Sequence, residues 1–133
     1  MRTALDSSVI LDVVTNEVAF ADRSEAALRR VSAEGALIIG ECVLAEIRPA
    51  FKSGEIDAFL ADWNIVFEPS TRKSALLAGE MFRAYLDRSR GTTKRVLPDF
   101  LIAAHASLSA DRLLARDRGY YRDYFKKLRL LEP

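Results

Sequence analysis

The sequence contains little that could crosslink the chain or hold it in a membrane. It has one cysteine, Cys42, and one histidine, so it can form neither an internal disulfide nor a Cys/His zinc cluster. No uncharged apolar run approaches the ~18 residues that a transmembrane helix needs. With 6 glycines and 4 prolines, all scattered, it shows no flexible linker. These absences predict a protein of a reducing, cytoplasmic setting that makes no membrane contact.

The composition is that of one globular domain over residues 1–133. Of the residues, 50% are hydrophobic and 29% are charged, and the formal net charge is +1. This near-neutrality hides an asymmetry, because residues 1–68 hold 6 basic and 12 acidic side chains, whereas residues 69–133 hold 14 and 7. The split of −6 against +7 indicates either an acidic site beside a basic surface or chance segregation along the chain.

Short apolar runs alternate with longer amphipathic stretches. The apolar runs predict five strands, at residues 3–5, 36–39, 64–67, 112–115 and 128–131. The stretches between them predict helices at 9–14, 20–34, 41–52, 55–62, 72–89 and 99–109, and a turn or short helix at 118–125. Strands separated by helices indicate an α/β fold, with a central parallel five-stranded sheet and helices on both faces.

Four acidic residues fall where such a sheet forms its sites, outside the carboxyl ends of the strands. Asp6 ends the first strand, and Asp117 lies just past the fourth. Asp99 opens the helix that leads into the fourth strand, and Glu46 lies among apolar residues on the helix after the second. Each acid also has a plain structural interpretation, respectively as a helix cap, a turn residue, a charge at a helix N-terminus and half of an ion pair.

If these carboxylates converge, their chemistry points to a metal. Carboxylates brought together repel one another, and their pKa values rise unless a cation neutralises them. Hard oxygen ligands suit Mg²⁺ or Mn²⁺. A metal held this way lowers the pKa of a bound water and neutralises charge on a phosphate, so the site would suit phosphodiester hydrolysis without a histidine base.

The segments that carry the four acids stand in a recognisable order along the chain. They are residues 5–12 (LDSSVILD), 42–47 (CVLAEI), 97–106 (LPDFLIAAHA) and 113–121 (LLARDRGYY). Together they resemble the acidic motifs of PIN domains, and especially those of the VapC toxins of bacterial toxin–antitoxin pairs. The resemblance runs essentially end to end and includes the tail at 130–133 (LLEP).

This resemblance implies a PIN-like fold and an endoribonuclease that hydrolyses RNA with a metal-activated water. It implies that Mg²⁺ or Mn²⁺ is held by Asp6, Glu46, Asp99 and Asp117, and that Asp6 and Asp99 are the most direct ligands. Ser8 matches the small polar residue that supports the first acid. The resemblance also implies a homodimer, and a cognate VapB-type antitoxin protein whose tail enters the active-site groove.

One residue departs from the family pattern, and two others carry extra charge. Ala115 stands two residues before the fourth acid, where the family often has Thr or Ser, so a hydroxyl that could hold Asp117 is missing. Asp12 and Asp123 are additional acids near the motifs, and we expect them to be supporting or solvated rather than metal-bound. The single histidine, His105, follows Asp99 by six residues and so faces another side of its helix, which favours a packing role.

Basic side chains flank the third and fourth motifs. Arg95 precedes Asp99 by four residues, and Arg116 and Arg118 lie on either side of Asp117. We expect these three arginines to contact RNA phosphates, which would give affinity that is independent of sequence and weakens with salt. The other interpretation of each is an ordinary surface ion pair.

Two further functions fit parts of the pattern. A catalytically degenerate PIN domain would bind RNA or protein without metal-dependent cleavage, and the departure at Ala115 leaves room for it. A phosphoacceptor signalling domain would need an aspartate after the third strand, where residues 64–69 (NIVFEP) offer Glu68 instead. The ribonuclease is the leading hypothesis because the four acids stand in the order of the family's motifs, and the degenerate domain is the alternative.

Overall fold

The molecule is built around one sheet of five parallel strands. The structure, a computed structural model, describes residues 1–89 and 96–133. The strands are β1 (Arg2–Leu5), β2 (Ala36–Ile39), β3 (Ile65–Phe67), β4 (Arg112–Leu114) and β5 (Leu130–Leu131). They lie in the order β3-β2-β1-β4-β5, and each neighbouring pair is parallel. The α/β fold with a parallel five-stranded sheet is therefore confirmed.

Helices connect and flank these strands. They are α1 (Ser7–Val14), α2 (Ala21–Glu34), α3 (Glu41–Ile47), α4 (Glu55–Asp62), α5 (Arg72–Ser89), α6 (Leu97–Ser109) and α7 (Tyr120–Tyr124). None of these described helices is long and apolar enough to cross a membrane. The helix predicted at 41–52 was too long, because the α-helix ends at Ile47 and a 3₁₀ turn follows at Arg48–Ala50. Pro49 explains this end, since it has no N–H to donate and its ring clashes with the preceding helical turn.

The strand order reverses at β1, so the topological switch point of the sheet lies between β1 and β4. The chain runs outward on one side through β2 and β3, then returns to the other side of β1 for β4 and β5. Leu5 is therefore paired with Leu114, and the backbone N–H of Asp6 donates to the Leu114 carbonyl at 2.9 Å. The carboxyl ends of β1 and β4 lie side by side at this switch point, where open α/β sheets form their ligand crevice.

The helix α6 is the most deeply buried of the helices that reach this crevice. Its residues Phe100, Ala103, Ala104 and Ala106 are fully buried. Phe100 contacts a cluster of aromatic rings from α5, α7 and the residue after α7, namely Phe82, Tyr85, Tyr120, Tyr124 and Phe125. Aromatic pairs of this kind add about 0.5–1.5 kcal/mol each beyond their buried area. This packing fixes the short helix α7 next to the first turn of α6.

Candidate active site

A cleft at the carboxyl ends of β1 and β4 collects the four predicted acids. It has a volume of about 420 Å³. Its lining includes Asp6, Glu46, Asp99 and Asp117 together with Ser7, Ser8, Leu11, Arg116, Arg118, Tyr120 and Tyr121. The structure therefore brings together every predicted acid, the predicted supporting serine and two of the three predicted arginines. Arg95 lies outside the described residues.

Asp6 lies at the base of the cleft, with 5% of its surface exposed. It directly follows β1 and is the N-cap of α1, where its Oδ2 accepts from the backbone N–H of Ser8 at 3.1 Å. The hydroxyl of Ser8 donates to the same oxygen. The Ser8 hydroxyl oxygen also accepts from the backbone N–H of Arg116 at 3.2 Å, so it joins the ends of β1 and β4. Asp6 is therefore both the N-cap of α1 and a residue of the cleft, and the cap hydrogen bonds hold its carboxylate in one position.

Glu46 approaches Asp6 from the last turn of α3. Its side chain is exposed to the cleft, and its Oε1 accepts from the hydroxyl of Ser7 at 2.9 Å. Neither Arg48 nor Lys52 forms an ion pair with it in the described part of the chain. Ser7 was not predicted as a site residue, although it stands in the first motif beside Ser8.

Asp99 is the carboxylate whose protonation the site perturbs most clearly. It stands at the third position of α6, behind Pro98, and is half-buried. Burial, and then the negative charge of Asp6, raise its pKa from 3.8 to about 6. The nearby Arg118 lowers the pKa of Asp99, whereas Glu46 and Asp117 raise it further. The carboxylates are therefore close enough to repel one another, as the sequence analysis expected of a convergent cluster.

Asp117 is held differently from the other three acids. Its Oδ1 accepts from the backbone N–H groups of Gly119 at 2.9 Å and Tyr121 at 3.2 Å. Its Oδ2 accepts from the backbone N–H of Arg122 at 3.2 Å and lies 3.6 Å from the Arg122 guanidinium. The side chain is only 1% exposed. Asp117 therefore organises the first turn of α7, which is the turn role that the sequence left open.

Tyr121 is the cleft residue that the sequence analysis did not assign to the acids. It is buried, and its hydroxyl donates to Oδ1 of Asp6 at 2.7 Å. Burial, followed by the charges of Asp6 and Asp99, raises the pKa of this phenol far above its usual value of 10.0, so it remains a donor. No local pattern could have found this contact, because it joins residues 115 positions apart in sequence.

The two cleft arginines have different surroundings. Arg116 makes a two-point pair with Asp12, through Nε and Nη2 at 2.9 Å each, and its guanidinium lies 4.1 Å from the ring centre of Phe20. Asp12 is 2% exposed and also accepts from the hydroxyl of Ser24, which places it in a supporting network. Arg118 is exposed and forms no hydrogen bond or ion pair with the residues that the structure describes.

His105 and Cys42 are not among the described residues that line the cleft. The imidazole of His105 is 4% exposed and its Nε2 lies 2.7 Å from the carbonyl oxygen of Glu68, which ties α6 to the segment after β3. Burial raises the pKa of the Cys42 thiol, and the charges of Glu46 and Glu41 raise it further. A thiol of this kind is less reactive, so a structural role suits it.

The donor chemistry of the cleft fits a hard divalent cation. The carboxylates of Asp6, Glu46 and Asp99 supply only oxygen ligands, and burial, followed by the negative charge of Asp6, raises the pKa of Asp99. In the part of the chain described here, no three His, Cys, Asp or Glu side chains are already arranged so that they could hold a metal ion. The oxygens of Asp6 and Glu46 are instead hydrogen-bonded to Tyr121, Ser8 and Ser7.

The fold and the acidic cleft define a protein with the PIN-like α/β architecture. No family model matches the sequence, and no curated protein matches it. Among solved structures, a chain of VapBC2 from Rickettsia felis, bound to a promoter DNA fragment, superposes with a TM-score of 0.69 at 21% identity, covering 100% of this chain and 99% of that one. A chain of VapBC-1 from nontypeable Haemophilus influenzae gives 0.69 at 20% identity, covering 99% and 98%. A chain of FitAcB from Neisseria gonorrhoeae gives 0.64 at 19%, covering 97% and 96%.

These similarities extend over the whole chain and concern the fold. The parallel five-stranded sheet with flanking helices matches the PIN-like fold of the VapC structures. The resemblance seen in the sequence motifs is consistent with this result, and the PIN-like fold that it implied is confirmed. The roles of the individual site residues stay predictions.

Proposed function

We propose that the protein is a metal-dependent endoribonuclease of the VapC type, the toxin of a VapBC-type toxin–antitoxin pair. The observation that carries this proposal is the convergence of Asp6, Glu46 and Asp99 in one cleft at the switch point of a PIN-like sheet. The full-length structural likeness to chains of VapBC complexes supports it. So does the order of the sequence motifs.

Asp6, Asp99 and Glu46 would hold Mg²⁺ or Mn²⁺, and Asp117 completes the predicted acidic set. When bound, the metal supplies a water of lowered pKa and neutralises charge on the scissile phosphate. Other parts of the chain orient the proposed metal ligands. Ser8 fixes one oxygen of Asp6, and α6 presents Asp99 from its rigid first turn.

RNA is the proposed substrate, and Arg118 is the described side chain best suited to a phosphate. Its guanidinium is exposed at the cleft, and its positive charge already acts on Asp99. The cleft is open to solvent, which suits a polymer that must lie across it. Arg116 and Arg95 stay predicted RNA contacts, and the pairing of Arg116 with Asp12 leaves it less charge to offer.

The proposed partners follow from the same likeness. The structural neighbours are VapBC complexes, so we expect a VapB-type antitoxin protein that covers the acidic cleft with a basic segment. A homodimer is the expected assembly of the toxin. The cytoplasmic setting also stays a prediction.

The test is cleavage of total RNA by the purified protein, with the cut sites mapped by sequencing. Wild type with Mg²⁺ or Mn²⁺ should cut at reproducible sites, and EDTA should abolish cutting. Asp6→Asn should remain folded and lose at least about a hundredfold in activity, because a metal ligand would be lost. Asp57→Asn, an exposed acid on α4, is the matched control and should cut normally. Metal-independent RNA binding without cutting would favour the degenerate binding module instead.

A further inference from the structure

The oxygens of Asp117 are already occupied by donors of α7. Three backbone N–H groups and one guanidinium surround the two oxygens, and the side chain is 1% exposed. An ionised carboxylate offers about four acceptor positions, and the three N–H groups occupy most of them, while the Arg122 guanidinium at 3.6 Å adds an ion pair. Asp117 thus lines the acidic cleft with little capacity left for a further ligand.

What Asp117 holds is the turn that carries Tyr121. Gly119, between them, has φ +103, a left-handed conformation that L side chains rarely adopt. The next residues form α7, and the Oδ1 that binds the N–H of Gly119 also binds that of Tyr121. Packing of Tyr120 and Tyr124 on Phe100 fixes the other side of this short helix.

Tyr121 in turn fixes Asp6, the buried carboxylate at the end of β1. Its buried hydroxyl donates to Oδ1 of Asp6 at 2.7 Å, while Ser8 holds Oδ2. Both oxygens of Asp6 therefore have an oriented donor, one from α1 and one from α7. A carboxylate held in this way keeps one rotamer and one orientation, so less entropy is lost when it binds a ligand.

We infer that Asp117 is a positioning residue that acts on Asp6 through Tyr121, and that the Tyr121 hydroxyl orients Asp6 for the metal. The inference rests on the proposed function only in taking Asp6 as a metal ligand. It assigns a role to Tyr121 that its sequence position does not suggest. It also explains how the cleft can do without a hydroxyl at Ala115, because Asp117 is held by the backbone of α7 instead.

The test is a Mn²⁺ titration of the purified full-length chain by isothermal calorimetry, without RNA. Tyr121→Phe removes only the hydroxyl and should weaken Mn²⁺ binding about 10-fold or more, the usual effect of losing a residue that orients a ligand. Tyr124→Phe is the matched control, since it removes the same atom from the same helix without touching an acid, and its affinity should be unchanged. Circular dichroism should show that both variants are folded at the assay temperature.

A double-mutant cycle separates the two possible roles of Asp117. If Asp117 acts through Tyr121, Asp117→Asn combined with Tyr121→Phe should bind Mn²⁺ no more weakly than the weaker single variant. Multiplying effects would mean that Asp117 acts on the metal independently of Tyr121, and this would overturn the inference. Wild-type affinity in Tyr121→Phe would overturn it as well. A wild-type protein that binds no Mn²⁺ would refute the proposed metal site itself, and with it the role inferred for Tyr121.

Discussion

Asp99 should destabilise the metal-free protein at neutral pH, so replacing it should make the fold more stable. Its pKa is raised from 3.8 to about 6 by burial and by the charge of Asp6. A carboxyl with a higher pKa in the folded state keeps its proton while the unfolded chain releases its own. This difference in proton binding contributes to the free energy of unfolding. The contribution is fully present below pH 3.8 and is lost as the pH rises through about 6.

The size of this effect follows from the shift. Raising the pKa from 3.8 to about 6 corresponds to about 3 kcal/mol at 1.36 kcal/mol per unit. Solvent screening of a half-buried group, and the favourable position of Asp99 at the start of α6, reduce the expected gain to about 1–2 kcal/mol. Asp99→Asn should therefore raise the free energy of unfolding by that amount at about pH 7.5.

Urea unfolding followed by circular dichroism in EDTA measures this difference. The matched control is Asp57→Asn, because Asp57 is also the third residue of its helix but is exposed and faces no acidic cluster. Loss of its helix-dipole interaction should cost about 0.3–1 kcal/mol, so the two variants should shift in opposite directions. Asp99→Asn should also lose RNA cleavage. A destabilised Asp99→Asn protein, or a gain that is the same at about pH 4 and about pH 7.5, would refute the electrostatic reasoning.

Truncation of the two cleft arginines should affect different properties, stability for Arg116 and RNA binding for Arg118. Arg116→Ala leaves Asp12 buried without its cation and should cost about 2–3 kcal/mol in urea unfolding, somewhat less than a fully buried pair because the Arg116 side chain is 36% exposed. Arg118→Ala should leave stability within about 0.5 kcal/mol, but should weaken RNA binding and lower the salt slope by about one unit in titrations at several salt concentrations. A stable Arg116→Ala protein, or an Arg118→Ala protein with an unchanged salt slope, would contradict the assigned roles.

The strands and the acidic positions could be predicted because they depend on local patterns. Continuous apolar runs identified all five strands, and the rule that sites form at strand ends selected Asp6 and Asp117. The length of α3 was overestimated because its periodicity continues through Pro49, although proline ends the α-helix there. Periodic patterns therefore predict that a helix or strand is present more reliably than they predict the residue at which it ends.

The partners of the site residues could not be predicted, because they depend on contacts between distant segments. Tyr121 meets Asp6, and Arg116 meets Asp12, only after β4 has paired with β1. Spacing along the chain contains no information about either contact. The sequence therefore located the site but left open which side chains bind a ligand and which hold those side chains in place.

The charge asymmetry of the chain takes a more specific form in the folded protein. Among the described residues that line the cleft, four are carboxylates and two are arginines, and Arg116 is already paired with Asp12 outside the lining. Without a metal, the cleft is therefore net negative where it would meet RNA, and it should repel a phosphate backbone. In the proposed ribonuclease, a divalent cation would offset this local negative charge. For that proposed activity we therefore expect the metal to bind before RNA, because the cleft should repel a phosphate backbone until its acids have been neutralised.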